Sequence, residues 1–429
     1  MEKKYKVLWL TLTPSCYMPI NQIQDKTSYN GCGWLASAEK EISKIENVEL
    51  SVAFILDGQP SKVKQSNTTY YPIPPFKKKW YQYPSSIWYL LFDNNYKHEI
   101  STWGHYKNHL RRVVDDFKPD IIHVWGSEGY LGLVSFITTI PVCLHIQGIL
   151  NPYNNAYLPP FFSWSKISGN ILNIKQYFKN RLEKKIREEY SYRERVILKS
   201  INKYMGRTIW DYRLTKLFNI NSRYYHVDEI LRTSFYNISV DRILPQKLTI
   251  ISTISYPLYK GYDLVLKTAK LLCTCYNNNF EWLVFGNVQY SLVEKEIGIS
   301  HKEVNVILKG VVAEQQLKEA ELKATLYFHP SYIDNSPNSI CEAQMIGLPV
   351  IATHVGGVET LVNNEENGYL IPSNDPYQGA YLINELYINK EKNILYGSNG
   401  QNRAKERHDK KRIIDQITDT YYNILKLNN

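Results

Sequence analysis

Short apolar runs alternate along this chain with longer stretches whose apolar residues recur every three to four positions. Val7–Leu12, Leu50–Leu56, Ile121–Trp125 and Pro141–Ile146 have strand length and almost no polar interruption. Strands of that kind are expected inside a parallel sheet, covered on both faces by crossover helices. The rhythm restarts at Leu248: Leu248–Ser252, Glu281–Phe285, Val304–Leu308, Ala324–Phe328 and Pro349–Thr353 are predicted strands, with helices over Asp263–Cys273 and near Ser339–Ile346. The closing stretch Arg412–Leu427 places Ile413, Ile414, Ile417, Tyr421, Ile424 and Leu425 at helical spacing.

Two such alternating units predict an α/β protein of two Rossmann-like, doubly wound domains with a ligand cleft between them. The first is expected over 1–240 and the second over 245–410, with a linker near Asn237–Gln246 and the helix of 412–429 returning to the first domain. A length of 429 residues agrees, since single cores stop growing near ~250–300 residues.

Two stretches break the rhythm. Between Tyr70 and Phe92 prolines, lysines and aromatics are interleaved, with Pro72, Pro74 and Pro75 forbidding a regular element at the start. This insertion fits either a membrane interface, with rings at headgroup depth and lysines on anionic lipid, or a surface loop packed on its own domain. Pro159–Trp164 is a second aromatic patch and leads into a long basic helical region over Ile174–Lys203.

Composition narrows the class without choosing the chemistry. Hydrophobic residues at 44% and charged residues at 21% are globular values. No run reaches ~18 apolar residues and the amino-terminal run lacks a cleavage site, so a cytoplasmic protein is expected, with contact at the inner face of a bacterial plasma membrane if the insertion meets lipid. Six scattered cysteines form no paired zinc motif, and free thiols and no metal are expected. The net charge of +10 points to an anionic partner. Nucleic acid ranks last, for want of any recognition signature.

The densest chemistry lies in Asp334-Asn-Ser-Pro-Asn-Ser-Ile-Cys-Glu342-Ala-Gln-Met-Ile-Gly347-Leu-Pro349-Val-Ile-Ala-Thr-His-Val-Gly356-Gly357. Two acids eight residues apart bracket a predicted helix start, with Asn338 or Ser339 at the cap. Free amides and the positive dipole end suit a diphosphate there. Glu342, about one turn inside, would face neutral hydroxyls such as those of a ribose. Gly347-Leu-Pro349 ends the helix and opens a strand, and Gly356-Gly357 allows close backbone approach at that strand's end. An ordinary capped αβ unit accounts for the cap and the first glycine, but not for both acids and the double glycine together.

This segment resembles the signature of the retaining glycosyltransferases of family four, the group 1 glycosyl transferases, which have the GT-B fold. Lys260-Gly261, Phe285-Gly286, Gly310, His329-Pro-Ser331 and Asn367-Gly368 follow the family's order. The resemblance implies that Lys260 pairs with the donor diphosphate, Asp334 holds donor-sugar hydroxyls and Glu342 the ribose. Amides near Asn338 and Ser339 would meet phosphate, with Gly286 and Gly310 near the base. In the first half, Gly31-Cys-Gly33-Trp34 resembles the family's glycine loop, where Gly33 would admit the donor phosphate and Trp34 the acceptor. His123, Glu128, His145 and Gln147 resemble acceptor-side strand ends, and Gly206-Arg207-Thr208, Trp210-Asp211 and Glu229-Ile-Leu-Arg232 further landmarks.

Three positions depart from the family. Asp334 stands where it usually carries Glu, Ser252–Pro257 holds no arginine, and Gln147 occupies a common histidine position. Phosphate neutralisation would then rest on Lys260, the helix terminus and Arg207 or Arg232. The implied reaction is transfer of a sugar, with retention, from a nucleotide-diphosphate sugar to a hydroxyl of a saccharide or polyprenyl-linked saccharide, in capsule or surface-polysaccharide assembly. No cofactor or metal is implied. A same-fold epimerase or glycan phosphorylase, and a noncatalytic sugar-nucleotide binder, remain as alternatives.

Overall fold

The computed structural model describes residues 4–15, 33–58, 61–76, 96–168, 174–236, 238, 244–276 and 279–427. Gly31, Cys32, Cys16 and most of the aromatic insertion lie outside them, as does much of the expected linker. The chain divides into two compact units, one of Met1–Asn154, Trp164–Ile230 and Lys410–Asn429, the other of Asn155–Ser163 and Leu231–Asp409.

The first unit is built from β1 (Tyr5–Thr11), α1 (Gly33–Ile42), β2 (Val48–Ile55), β3 (Val63–Gln65), β4 (Thr68–Ile73), α2 (Lys97–Phe117), β5 (Ile121–Trp125), β6 (Val142–His145), α3 (Leu150–Asn155), α4 (Trp164–Ser168), α5 (Ile174–Ser200), β7 (Lys203–Gly206), α6 (Ile209–Phe218) and β8 (Arg223–His226). Its 8-stranded sheet runs β3-β4-β2-β1-β5-β6-β7-β8 and is parallel except for the short β3–β4 pair. Val7–Leu10 of β1 are wholly buried, as a central strand covered on both faces must be.

The second unit carries β9 (Leu248–Thr253), α7 (Tyr262–Leu271), β10 (Phe280–Phe285), α8 (Tyr290–Ile297), β11 (Val306–Gly310), α9 (Glu314–Leu322), β12 (Leu326–His329), α10 (Asn338–Met345), β13 (Val350–Thr353), β14 (Gly368–Ile371), α11 (Pro376–Ile388) and α12 (Lys390–Arg407). Its 6-stranded sheet, β11-β10-β9-β12-β13-β14, is parallel throughout. The chain winds outward from β9 to β11, then crosses back to place β12 on the other side of β9. In doubly wound sheets that reversal opens a ligand crevice at the carboxyl ends of the two strands.

The closing helix α13 (Lys410–Lys426) packs on the first unit, burying Ile413, Ile417, Tyr421 and Ile424. Tyr421 accepts a hydrogen bond from Trp9 Nε1 at 2.9 Å and lies 2.6 Å from His123 Nδ1. Ile414 and Leu425, also at apolar spacing, stay partly exposed at the rim of that stripe.

Candidate active site

The reversal between β9 and β12 is where the second unit gathers its polar side chains. Beyond β9 a single turn, Leu258–Lys260, delivers Lys260 immediately before α7. Beyond β12 the chain runs through His329 and Ser331 to Asp334. The two loops are tied by their backbones, Tyr332 N donating to Tyr259 O at 2.7 Å. Lys260 Nζ consequently sits 2.7 Å from Asp334 Oδ2, although the residues are 74 apart in sequence.

Asp334 is held from every side. Its Oδ2 also lies 3.2 Å from His329 Nε2 and accepts from Ser331 Oγ at 3.4 Å, while Oδ1 accepts from Asn335 N at 3.2 Å. Its carbonyl accepts from Gly357 N at 2.9 Å, so the double glycine after β13 closes on the backbone of the acid itself. Burial would raise the Asp334 pKa, but Lys260 and His329 outweigh it and hold the carboxyl well below the usual carboxylate range. Burial would likewise lower Lys260, and the facing carboxylate reverses this and raises it. The two groups therefore face each other as an ion pair at physiological pH. Burial above all keeps His329 low, and the imidazole neutral.

The helix following this loop starts one residue earlier than its polar residues suggest. Pro337, not Asn338 or Ser339, is the N-cap, and no side chain caps α10. Proline has the extended backbone a cap needs, and its carbonyl accepts from Ile340 N at 3.0 Å. The amides of Asn338 and Ser339 are left without an intrahelical acceptor, in the position of an anion cradle. Gly286 and Gly310 end the neighbouring strands β10 and β11 and are joined by a 2.7 Å hydrogen bond.

Glu342 lies one turn into α10, as the spacing implied, but its partner comes from far away. Arg232 Nε donates to Oε1 at 2.7 Å and Nη2 to Oε2 at 2.5 Å. Arg232 was a candidate for phosphate; its charge is instead spent on Glu342 and, at 3.3 Å, on Glu314. Burial pushes the Glu342 carboxyl up and Arg232 pulls it part of the way back.

A third carboxyl of this group, Glu321 on α9, is fully buried, and neither oxygen has a hydrogen-bond partner among the described residues. Burial, with Glu342 adding to it, drives Glu321 well above the usual range, so it is a neutral acid. An orphaned buried carboxyl costs stability. Glu321→Leu is accordingly expected to raise the resistance of the fold to urea, by roughly 1–2 kcal/mol. An unchanged or lower midpoint at pH 7 would mean that the carboxyl is satisfied in solution.

In the first unit, Gly33 and Trp34 open α1. Glu128 follows β5 and accepts from Gly148 N at 2.8 Å, next to Gln147. Burial above all pushes its carboxyl up to about 7. Beneath it Glu194 caps α3, accepting from the amides of Leu150 and Asn151 at 2.8 Å each and from Ser127 Oγ at 2.6 Å. Arg207 reaches Gln147 O at 3.1 Å.

His123 and His145 are corrected as acceptor-side candidates. Both are buried, 3.3 Å apart, and His123 is bonded to Tyr421. Burial lowers the pKa of each, His123 to about 3, so both are neutral core rings. They lie within strands covered on both faces, where even a polar residue points inward, and no reading of β5 or β6 alone could have shown α13 above them.

Residues 239–403 match the family model described as glycosyl transferases group 1. The chain is 31% identical over 105 residues to an Escherichia coli UDP-Gal:alpha-D-GlcNAc-diphosphoundecaprenol alpha-1,3-galactosyltransferase, covering 24% of this chain and 27% of that protein. Its fold is similar to sucrose-phosphate synthase of Thermosynechococcus elongatus, at TM-score 0.68 and 13% identity over 99% of this chain and 100% of the other. Anabaena HepE in complex with UDP and glucose gives TM-score 0.62 and 17% identity over 98% and 100%. The chain thus has the GT-B fold, and its residues 239–403 match the model of the group 1 glycosyl transferases.

Proposed function

We propose that the protein transfers a sugar from a nucleoside-diphosphate sugar to a hydroxyl of a saccharide or polyprenyl-linked saccharide, with retention, in the assembly of a cell-surface polysaccharide. The observation that carries this reading is the Lys260–Asp334 pair at the strand reversal, followed by a helix whose first amides no side chain caps. An ammonium and a helix N-terminus together match a diphosphate and strengthen as negative charge grows on the leaving group. These groups supply the positive charge without a metal. Asp334, ionised at every physiological pH, is suited to accept hydrogen bonds from donor-sugar hydroxyls and unsuited to be a general acid.

No acid is assigned as a covalent nucleophile. In this reading the departing phosphate leaves on the face the acceptor attacks and helps to take the acceptor's proton, so the rate comes from orientation and from charge around the diphosphate. The E. coli relative's name, with its diphosphoundecaprenol acceptor, supports a lipid-linked saccharide, and HepE, recorded with UDP, supports a nucleotide donor.

Two measurements test the reading. A panel of nucleotide sugars should contain at least one that raises the melting temperature, since a ligand of the folded state stabilises it by mass action. That donor, labelled in the sugar, should pass its label to a new hydroxyl with the anomeric configuration kept. Label returning in an isomerised nucleotide sugar would make the protein an epimerase, sugar 1-phosphate formed from a glycan and inorganic phosphate a glycan phosphorylase, and binding with no turnover a noncatalytic sugar-nucleotide binder.

A further inference from the structure

Residues 155–163 come from the first half of the chain but pack within the second unit. They hold most of the aromatic patch that begins at Pro159, for which the reaction proposed above has no use. Tyr157 is buried, and its ring meets that of Tyr259 edge-on, with centroids 6.3 Å apart and planes at 62°. A turn follows, in which Phe162 N donates to Pro159 O at 3.1 Å and Phe161, its third residue, has φ 75°. A left-handed third position ordinarily takes glycine. A bulky ring there persists only where its surroundings fix it, and Lys267 Nζ of α7 lies 5.3 Å from the Phe161 ring. The segment is thus held at two points, by the turn that delivers Lys260 and by the helix that turn opens.

Tyr259 immediately precedes Lys260, and Lys260 Nζ lies over its ring, 5.5 Å from the centroid. Asp334 Oδ2 holds the same ammonium at 2.7 Å. A lysine carries its charge on a flexible four-carbon stem, so the groups around the tip decide where that charge rests. The backbone of Tyr259 is tied without any help from Tyr157, through the hydrogen bond it accepts from Tyr332 N. What Tyr157 adds is the place of the Tyr259 ring. A ring attracts a cation through its face, so a Tyr259 ring free to swing would leave the ammonium to Asp334 alone of these two contacts.

We infer that Tyr157 is a positioning residue of the donor site, which holds the Tyr259 ring against Lys260 and so keeps the ammonium where the donor diphosphate binds. The inference rests on the donor reading given above. A merely structural role, in which Tyr157 only fastens residues 155–163 to the second unit, predicts lower stability with unchanged recognition of the second phosphate.

Calorimetric titration separates the two, using the nucleoside diphosphate of the stabilising donor and the matching nucleoside monophosphate. Wild-type protein should favour the diphosphate, and Lys260→Ala should cut that preference by about tenfold or more. Tyr157→Ala should cut it by about threefold to fivefold, the worth of one cation–ring contact, and leave monophosphate binding unchanged. Tyr157→Phe, which keeps the ring, should keep the preference, and Tyr259→Leu should reproduce the loss. In the Lys260→Ala background Tyr157→Ala should cost nothing further, because it acts through the lysine. Phe161→Gly relieves the left-handed strain and removes the contact with Lys267, and should leave the preference intact. Should Tyr157→Ala fail to fold, Tyr157→Leu fills the same space without a ring and carries the same expectation. The inference is overturned by a ring-less Tyr157 variant that folds with its full preference, by equal weakening of both nucleotides, by a loss that persists without Lys260, or by a matching loss in Phe161→Gly. Absence of any diphosphate preference in the wild type, or an unchanged one in Lys260→Ala, would instead bring down the donor reading, and this inference with it.

Discussion

Lys260→Ala is expected to lower kcat by roughly 10²–10³-fold, the cost of removing one preorganised charge from a developing anion. The same change leaves Asp334, 6% exposed, without its ammonium and with only neutral His329 beside it. Removing one partner of a buried pair costs about 3–5 kcal/mol, so stability should fall as well. The pH dependence distinguishes this from a general loss of packing. In the wild type the depressed pKa of Asp334 makes it contribute stability above the unfolded carboxyl value, near ~3.9, and lose it as pH falls through the folded value. In Lys260→Ala burial dominates and the pKa rises, so the folded form holds the extra proton and stability declines as pH rises from about 4 towards 7. Urea unfolding at pH 5 and pH 7 should therefore show a deficit that grows with pH. A variant that turns over within about threefold of wild type, with a deficit independent of pH, would place the donor phosphate elsewhere.

Gly356→Ala should be the most damaging methyl group that can be added near the site. Gly356 has φ 53°, and a Cβ there would lie 1.9 Å from the carbonyl oxygen of Asp334. The obstacle is backbone, which cannot turn aside as a side chain can. The left-handed conformation alone costs an alanine about 1–2 kcal/mol, and the collision brings the expected loss to roughly 3–5 kcal/mol. Gly298→Ala separates the two contributions. Gly298 ends α8 with φ 66° and open space where its Cβ would go, so only the conformational part, about 1–2 kcal/mol, should appear. Activity of Gly356→Ala should fall further than its stability explains, because the colliding carbonyl belongs to the acid paired with Lys260. Equal losses in the two alanine variants would mean that the loop after β12 yields freely.

How much of this could be read beforehand differs from element to element. Ile121–Trp125 was placed to the residue, and other expected strands such as Val304–Leu308 and Ala324–Phe328 shifted by one or two positions, because a continuous apolar run marks a doubly covered strand but not its ends. The helix after Lys260 was visible, but its last turn relaxes into a wider π turn over Leu272–Tyr276. The start of α10 was misjudged for a local reason: Asn338 and Ser339 are good caps, yet Pro337 before them already has the extended backbone of one.

By itself the sequence determined two doubly wound units, a lysine just before a helix, two acids eight residues apart and a glycine pair after a strand. Each of these is a local pattern, set by periods of two or 3.6 residues and by the backbone demands of glycine and proline. Which group each of them meets was decided only by the tertiary structure. Lys260 reaches Asp334 because the strand order places β12 beside β9; Arg232 reaches Glu342 across 110 residues; and His123 is sealed under Tyr421, 298 residues on. These partners are fixed by sheet order and by helix packing across the sheet, which depend on the whole buried surface at once and leave no periodic trace in the chain.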